Sequence, residues 1–389
     1  MKIAYATIND ISNPSSWSKD IQGICAAGYN ISQHLTDESV EIDYLGPLNK
    51  NFTALTKLKW SFYHYISKKD YYRWAEPLIV KNYAHQLHKK LKNSDSNIVL
   101  CPENIVPITY LECKQPIVLW TDATLSSLIN FYRHMENLCQ ENIRNIHSME
   151  AEALNRCKLI IYTSDWAAKQ AMKTYNIAAN KIQVVPYGAN LICNRNIEDI
   201  KNIIQSKPNT PCKLLFIGVD WIRKGGSIAF HITKELNNLG LKTELTIVGC
   251  KPQINESLPQ FVKYIEFIDK SKKAGLEKIN QLFAEAHFLI LPTIADCTPH
   301  VVAEANSFGV PAISTNVGGL ATLIHDDLNG KIFPLDANIS AYCNYIITMM
   351  SNDHDYYQLA FSSFYEYQNR LNWNVAVQKT KKLIKDLIV

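Results

Sequence analysis

Two carboxylates at a fixed spacing, Asp296 and Glu304, are the residues of this chain best placed for chemistry. They lie in the segment HFLILPTIADCTPHVVAEANSFGVPAISTNVGGLATLIHDDLNGKIFP, from His287 to Pro334. Apolar runs at Phe288 to Leu291, Val310 to Ile313 and Lys331 to Phe333 alternate there with helical patterns bounded by Gly and Pro, which predicts a piece of parallel α/β sheet. Asp296 falls just before the first helix and Glu304 almost two turns into it. Thr298 suits the N-cap and Pro299 the first helical position, where a missing N–H costs nothing. The N–H groups of His300 and Val301 then point out of the sheet's C-terminal edge as a ready anion site, with the two carboxylates flanking a phosphate-sized pocket. Glycoside hydrolysis needs its two carboxylates on opposite sides of a scissile bond, and a pair on one loop and helix fits that poorly.

Basic residues recur at a second strand end. In LLFIGVDWIRKGG the strand stops at Gly218, so Arg223 and Lys224 sit in a loop at its carboxyl end, where cationic side chains meet phosphate. Solvated lysine and arginine would be the plainer reading of such a pair. Asp122 directly follows the strand Ile117 to Trp120, either as a helix N-cap or as a functional carboxylate. The loop after the first strand, Asn13 to Ser18 and on to Lys19, lacks G-x-G-x-x-G, which removes the main support for a dinucleotide oxidoreductase. Cys297 has no base partner and reads as pocket lining rather than as a nucleophile.

These residues need strands and helices to carry them. Buried strands are expected at 2–8, 41–45, 98–101, 117–120, 159–163 and 182–185, and again from 213, at 241–249, 262–268, 288–291, 310–313 and 331–333. Helical stretches such as Leu125 to Arg156 separate them. Alternation of this kind predicts doubly wound sheets with ligands at the strands' carboxyl ends. At 389 residues the chain exceeds one ordinary core and divides into two domains. Residues 191–212, with Asn, Lys, Ser and two prolines and little apolar periodicity, are the best linker.

Hydrophobic content of 47%, charged content of 20% and a net charge of +4 fit a globular enzyme and give no case for nucleic-acid binding. The N-terminus is too short in apolar residues for a signal peptide, and no run is long enough to span a bilayer. Ten scattered cysteines without a C-x-x-C pair disfavour disulfides and zinc and point to a cytoplasmic location. The segment KLKWSFYHYISKKDYYRW, from Lys57 to Trp74, has two readings. Its aromatic faces pack as core beneath solvated lysines, or it meets an anionic membrane or lipid-linked acceptor as a peripheral contact.

The acidic residue, seven residues, then Glu, followed by ANSFGVPAISTNVGG, resembles the signature of the retaining glycosyltransferases of family four, which have the GT-B fold. Gly218 to Gly226 is similar to that family's phosphate-binding loop. Trp120-Thr121-Asp122, Ser164-Asp165-Trp166 and Pro186-Tyr187-Gly188-Ala189-Asn190 are similar to N-domain and hinge segments of one branch, so the resemblance covers nearly the whole chain. It implies an α/β architecture of two Rossmann-like domains with parallel sheets facing across a cleft. Residues 1–190 would bind acceptor, 213–370 the nucleotide sugar, and 371–389 would form a helix crossing back to the N-domain.

The resemblance further implies transfer of a sugar, with retention, from a nucleotide sugar to an acceptor hydroxyl on a glycan or lipid-linked glycan, as in polysaccharide biosynthesis. No cofactor or metal is implied, because Arg223, Lys224 and the N–H groups of His300 and Val301 would neutralise the leaving diphosphate. Gly218, Gly249, Ile268 and Thr298 would line the donor site, Glu304 would accept hydrogen bonds from the ribose, and Asp296 would hold the donor sugar. Asp122 would approach that sugar from the N-domain, and Ser18-Lys19 stand where the family has Ser-Gly near the pyrophosphate. The chain departs from the pattern at Asp296 in place of Glu, Thr298-Pro299 in place of aromatic-Gly, Val219 in place of Arg and Thr322 in place of Glu. These departures leave open a catalytically silent GT-B protein that binds sugar nucleotide or serves as a subunit.

Overall fold

Apolar runs bounded by Gly, Pro and polar turns become strands in both halves of the chain. The computed structural model describes residues 1–18, 21–255 and 257–388. Among them the chain forms two compact units, Met1–Pro186 joined by the chain from Ala376 onward, and Tyr187–Val375. Each contains a six-stranded parallel sheet. No helix among the described residues is long and apolar enough to cross a membrane.

The first unit is built on β1 (Lys2–Tyr5), β2 (Glu41–Tyr44), β3 (Ile98–Cys101), β4 (Ile117–Thr121), β5 (Leu159–Tyr162) and β6 (Ile182–Val184), in the order β2-β1-β3-β4-β5-β6. Strands β3, β4 and β5 are buried at every residue, which is why they read as unbroken apolar runs rather than alternating ones. The helix expected over Leu125 to Arg156 starts only at Gln140. Before it the chain makes short 3-10 turns at Ser126–Leu128 and Arg133–Met135. The buried Glu150 carboxylate accepts the N–H groups of Leu125 at 2.5 Å and Ser126 at 3.0 Å, fixing that loop in a non-helical path.

The last helix, Trp373–Lys385, runs from the second unit into the first, as expected. Two of its lysines are engaged within the first unit. Lys381 pairs with Asp37, and Lys379 Nζ donates to the Val184 carbonyl at 2.8 Å.

Glu103, in the turn after β3, is buried; its Oε2 accepts the Ile8 N–H at 3.3 Å while its Oε1 has no hydrogen-bond partner. Burial pushes its carboxyl up to about 7. The folded chain therefore holds a proton that the unfolded chain releases near 4.5. Stability should fall as pH rises through that window and level off above it, by about 3 kcal/mol for a shift of this size. Glu103→Gln is expected to stabilise the protein by about 2–3 kcal/mol at about pH 8 and by little at about pH 4. Urea denaturation at both pH values measures this, and an equal effect at the two would show that the carboxyl does not titrate between them.

The second unit carries β7 (Cys212–Ile217), β8 (Thr243–Val248), β9 (Val262–Ile265), β10 (Phe288–Leu291), β11 (Ala312–Thr315) and β12 (Gly330–Phe333), in the order β12-β11-β10-β7-β8-β9. The chain moves outward from β7 to β9, then returns to lay β10 against β7, with Phe288 opposite Leu214 and Leu289 opposite Leu215. Strand order thus reverses between β7 and β10, the point where open α/β sheets bind ligands.

Residues 191–212 are not a free linker. They contain the helix Ile197–Gln205, closed by a capping box between Asn196 and Asp199, and end in the first residue of β7. Ile200 and Ile204 enter the second unit's core, where their helix packs against the helices Lys273–Glu285 and Asp353–Arg370. The polar composition had masked apolar residues at helical spacing and a capping signal ahead of them.

Candidate functional site

The loop after β7 and the loop after β10 meet at the reversal point. Gly225 has φ +76°, and a Cβ there would lie 1.9 Å from the Pro292 carbonyl oxygen, so only glycine allows the first loop this close to the end of β10. Hydrogen bonds lock the contact: Ile294 N–H and Thr293 Oγ1 both donate to the Arg223 carbonyl at 2.8 Å. The helix Gly226–Asn238 then leads away, its first turn packed on Trp221.

This arrangement brings Lys224, Arg223 and Asp296 together. Lys224 Nζ donates to Asp296 Oδ2 at 2.5 Å, and Arg223 Nη1 lies 3.7 Å from Asp296 Oδ1 while donating to the Ala295 carbonyl at 2.9 Å. Lys224 is 9% exposed and Asp296 6%, so the lysine is not the solvated loop residue that composition suggested. Its stem crosses Gly218, where a Cβ would sit 2.9 Å from Lys224 Cγ. Gly249, at φ +100°, backs this floor from β8, with a Cβ position 2.7 Å from the Gly218 carbonyl oxygen. Gly218, Gly249, Arg223, Lys224 and Asp296 therefore form one cluster. Its basic side chains pair with the buried carboxylate, and an incoming anion would compete for them.

Glu304 lies in the helix His300–Asn306 and is 3% exposed. Lys270 Nζ donates to its Oε1 at 2.5 Å. Lys270 belongs to the loop after β9, two residues beyond Ile268, and no motif marked it. Asp269 Oδ1 accepts the Ser271 N–H at 3.1 Å and shapes the turn that carries it. The sequence signal for Lys270 was weak, since it is one of three lysines in DKSKK.

The helix cap differs from expectation. Pro299 is itself the N-cap, with ψ 118°, so the first helical residue is His300, no side chain caps the helix, and Thr298 lies outside it. An extended ψ at Pro299 explains the one-residue displacement, and Glu304 consequently stands little more than one turn in. The His300 ring is stacked 5.5 Å from Tyr187 at an interplanar angle of 4°, and its Nδ1 lies 3.0 Å from the Gly188 carbonyl oxygen. Burial is the main cause that pushes its imidazole below the ordinary range, so the neutral ring with hydrogen on Nδ1 fits these contacts. Val301, the next residue, packs on the second unit's core while its backbone stays in the helix's first turn.

In the first unit, Asp122 follows β4 without an α-helix starting there, so the N-cap reading does not apply. Ser18 is exposed in the loop after β1, and its carbonyl accepts the Ile21 N–H at 3.1 Å. Lys19 lies outside the described residues. Among the described residues no group of three or more His, Cys, Asp or Glu side chains could hold a metal ion, and none of the ten cysteines, Cys297 included, is in a disulfide.

A family model described as glycosyl transferases group 1 matches residues 211–352. Those residues are a glycosyl transferases group 1 domain. The group 1 domain takes in β7 to β12, the Lys224–Asp296 pair and Glu304. No curated protein matches the chain. Among solved structures, sucrose-phosphate synthase from Thermosynechococcus elongatus is similar at 13% identity and TM-score 0.65, covering 99% of this chain and 98% of that one. The lipopolysaccharide outer core galactosyltransferase WaaB is similar at 15% and 0.63, over 99% of both chains. Anabaena HepE, crystallised in complex with UDP-glucose, is similar at 15% and 0.62, over 99% of this chain and all of that one. At these identities the likeness establishes the fold, which is GT-B along the full length.

Proposed function

We propose that this protein is a retaining glycosyltransferase that moves a sugar from a nucleoside diphosphate sugar to an acceptor hydroxyl on a glycan or lipid-linked glycan. The observation that carries the proposal is the buried Lys224–Asp296 pair, with Arg223 beside it, at the β7/β10 reversal of a group 1 domain. On donor entry Lys224 and Arg223 turn to the diphosphate and stabilise the charge that builds as the glycosidic bond breaks. Asp296, released from the lysine, accepts hydrogen bonds from sugar hydroxyls. The N–H groups of His300 and Val301 lie toward the same phosphates, with Gly218, Gly249, Ile268 and Thr298 as lining. Glu304, oriented by the Lys270 hydrogen bond, accepts hydrogen bonds from the ribose hydroxyls. Asp122 and Ser18-Lys19 are the first unit's proposed contributions.

The acceptor hydroxyl attacks the face from which the diphosphate leaves, and a phosphate oxygen of the donor takes its proton. Positioning and electrostatics then supply most of the rate. Lysine and arginine supply the positive charge, so transfer is expected to persist in excess chelator. Activity that is lost in chelator and restored by manganese or magnesium would contradict this. HepE was crystallised with UDP-glucose, which makes uridine diphosphate sugars the first donors to test. A thermal-shift screen of sugar nucleotides should single out one donor, since a ligand at a hundred times its Kd stabilises the folded state by about 2.7 kcal/mol. A screen without any stabilising sugar nucleotide would overturn the donor-site assignment.

A further inference from the structure

The helix Thr53–Ser61 runs directly into a π-helical stretch, Phe62–Ser67, and its amphipathicity is inverted. Surface helices normally turn an apolar stripe to the core and polar residues to solvent. Here polar contacts hold the inner side to the first unit. Lys59 Nζ donates to Glu76 at 3.0 Å and to Glu141 at 2.6 Å, Tyr63 Oη donates to Glu141 at 2.8 Å, and Arg73 Nε donates to Thr56 Oγ1 at 2.9 Å. Leu55, Leu58, Phe62, Tyr65 and Ile66, at helical spacing, all face outward, and Leu58 and Ile66 are each 71% exposed. Lys57, Lys68 and Lys69 are exposed around them. The reading of this segment as core holds for Tyr71, buried beneath Tyr63 at 5.2 Å, and for Tyr72, packed on the core and stacked 5.7 Å from Trp74. It fails for the outer stripe.

We propose that this helix is a docking face for an anionic lipid bilayer, with the apolar stripe entering the headgroup boundary and the three lysines meeting anionic headgroups. Charge and size select this occupant. A second copy on the same face would set the lysines against their equivalents. The helix face is about 22 Å long and about 10 Å across, a footprint of about 200 Å² against about 800 Å² per partner in a standard protein interface. A bilayer needs no complementary shape and supplies the opposite charge. The inference stands apart from glycosyl transfer, and either can fail alone.

Flotation of the full-length chain with vesicles tests it. Wild type is expected to float with phosphatidylcholine–phosphatidylglycerol vesicles and at least about tenfold less with phosphatidylcholine alone or at high salt. Leu58→Glu combined with Ile66→Glu should abolish flotation. Lys57→Glu, Lys68→Glu and Lys69→Glu together should lower partitioning on the order of a hundredfold. All five positions are exposed, and unchanged thermal melts would verify that the variants fold. Trp60 emission should shift to the blue on wild-type binding. The proposal is overturned if wild type ignores anionic vesicles, if the paired glutamates leave binding unchanged, or if sedimentation reveals a wild-type dimer that those glutamates dissociate.

Discussion

Replacing Lys224 by Ala is expected to weaken donor binding about ten- to a hundredfold and, in the ligand-free protein, to cost about 2–4 kcal/mol of stability. The first effect is the loss of charge-assisted hydrogen bonds to the diphosphate. The second arises because Asp296 is 6% exposed and would be left buried without its nearest cation, Arg223 standing 3.7 Å away. A loop lysine with a solvated ammonium would show only the first effect, so stability separates the two situations. Lys224→Ala with Asp296→Ala should recover much of the lost stability without recovering donor affinity. Urea denaturation and calorimetry on the three variants provide the comparison. A Lys224→Ala protein as stable as wild type would show that the buried pair contributes nothing.

Glu304→Ala is expected to weaken free nucleoside diphosphate and sugar nucleotide alike, by about ten- to a hundredfold, because ribose contacts are common to both ligands. Glu304 is 3% exposed and its Oε1 is held by Lys270. Lys270→Met should therefore weaken both ligands in the same proportion, though less, by leaving the carboxylate poorly oriented. Asp296 differs, since removing it frees Lys224 for phosphate. Asp296→Ala should leave nucleoside diphosphate affinity unchanged or slightly raised while lowering sugar-nucleotide affinity, turnover or both. If Glu304→Ala spares the free nucleotide, its assignment to the ribose is wrong.

Much of this was legible in the sequence, for identifiable physical reasons. Strands buried on both faces appear as apolar runs between Gly and Pro, so β3 (IVLC) and β10 (FLIL) stood out without any alternating pattern. Arg223, Lys224 and Asp296 were visible because each lies within a few residues of a strand end. Lys270 was not, since only the return of the chain from β9 brings it against a residue thirty-four positions on. The helix Ile197–Gln205 was hidden by polar composition, although its capping box was readable. Nothing in KLKWSFYHYISKK distinguishes an apolar stripe facing inward from one facing outward. That depended on Glu76 and Glu141 drawing Lys59 and Tyr63 to the inner side. Burial of Lys224 was likewise invisible, because it depends on Gly218 leaving room for the lysine stem.

The proposed transfer requires the Lys224–Asp296 cluster to bind a nucleoside diphosphate sugar and promote cleavage of its glycosidic bond. Its most direct test is to follow the anomeric signal of each sugar nucleotide by NMR, in excess chelator, with wild type and Asp296→Ala in parallel across a panel of glycan and lipid-linked acceptors. Wild type is expected to consume at least one donor and yield a glycoside of the same anomeric configuration, while Asp296→Ala binds nucleoside diphosphate but turns over far more slowly. Wild-type protein that binds a sugar nucleotide yet neither transfers nor hydrolyses it, or an Asp296→Ala variant as active as wild type, would contradict the account.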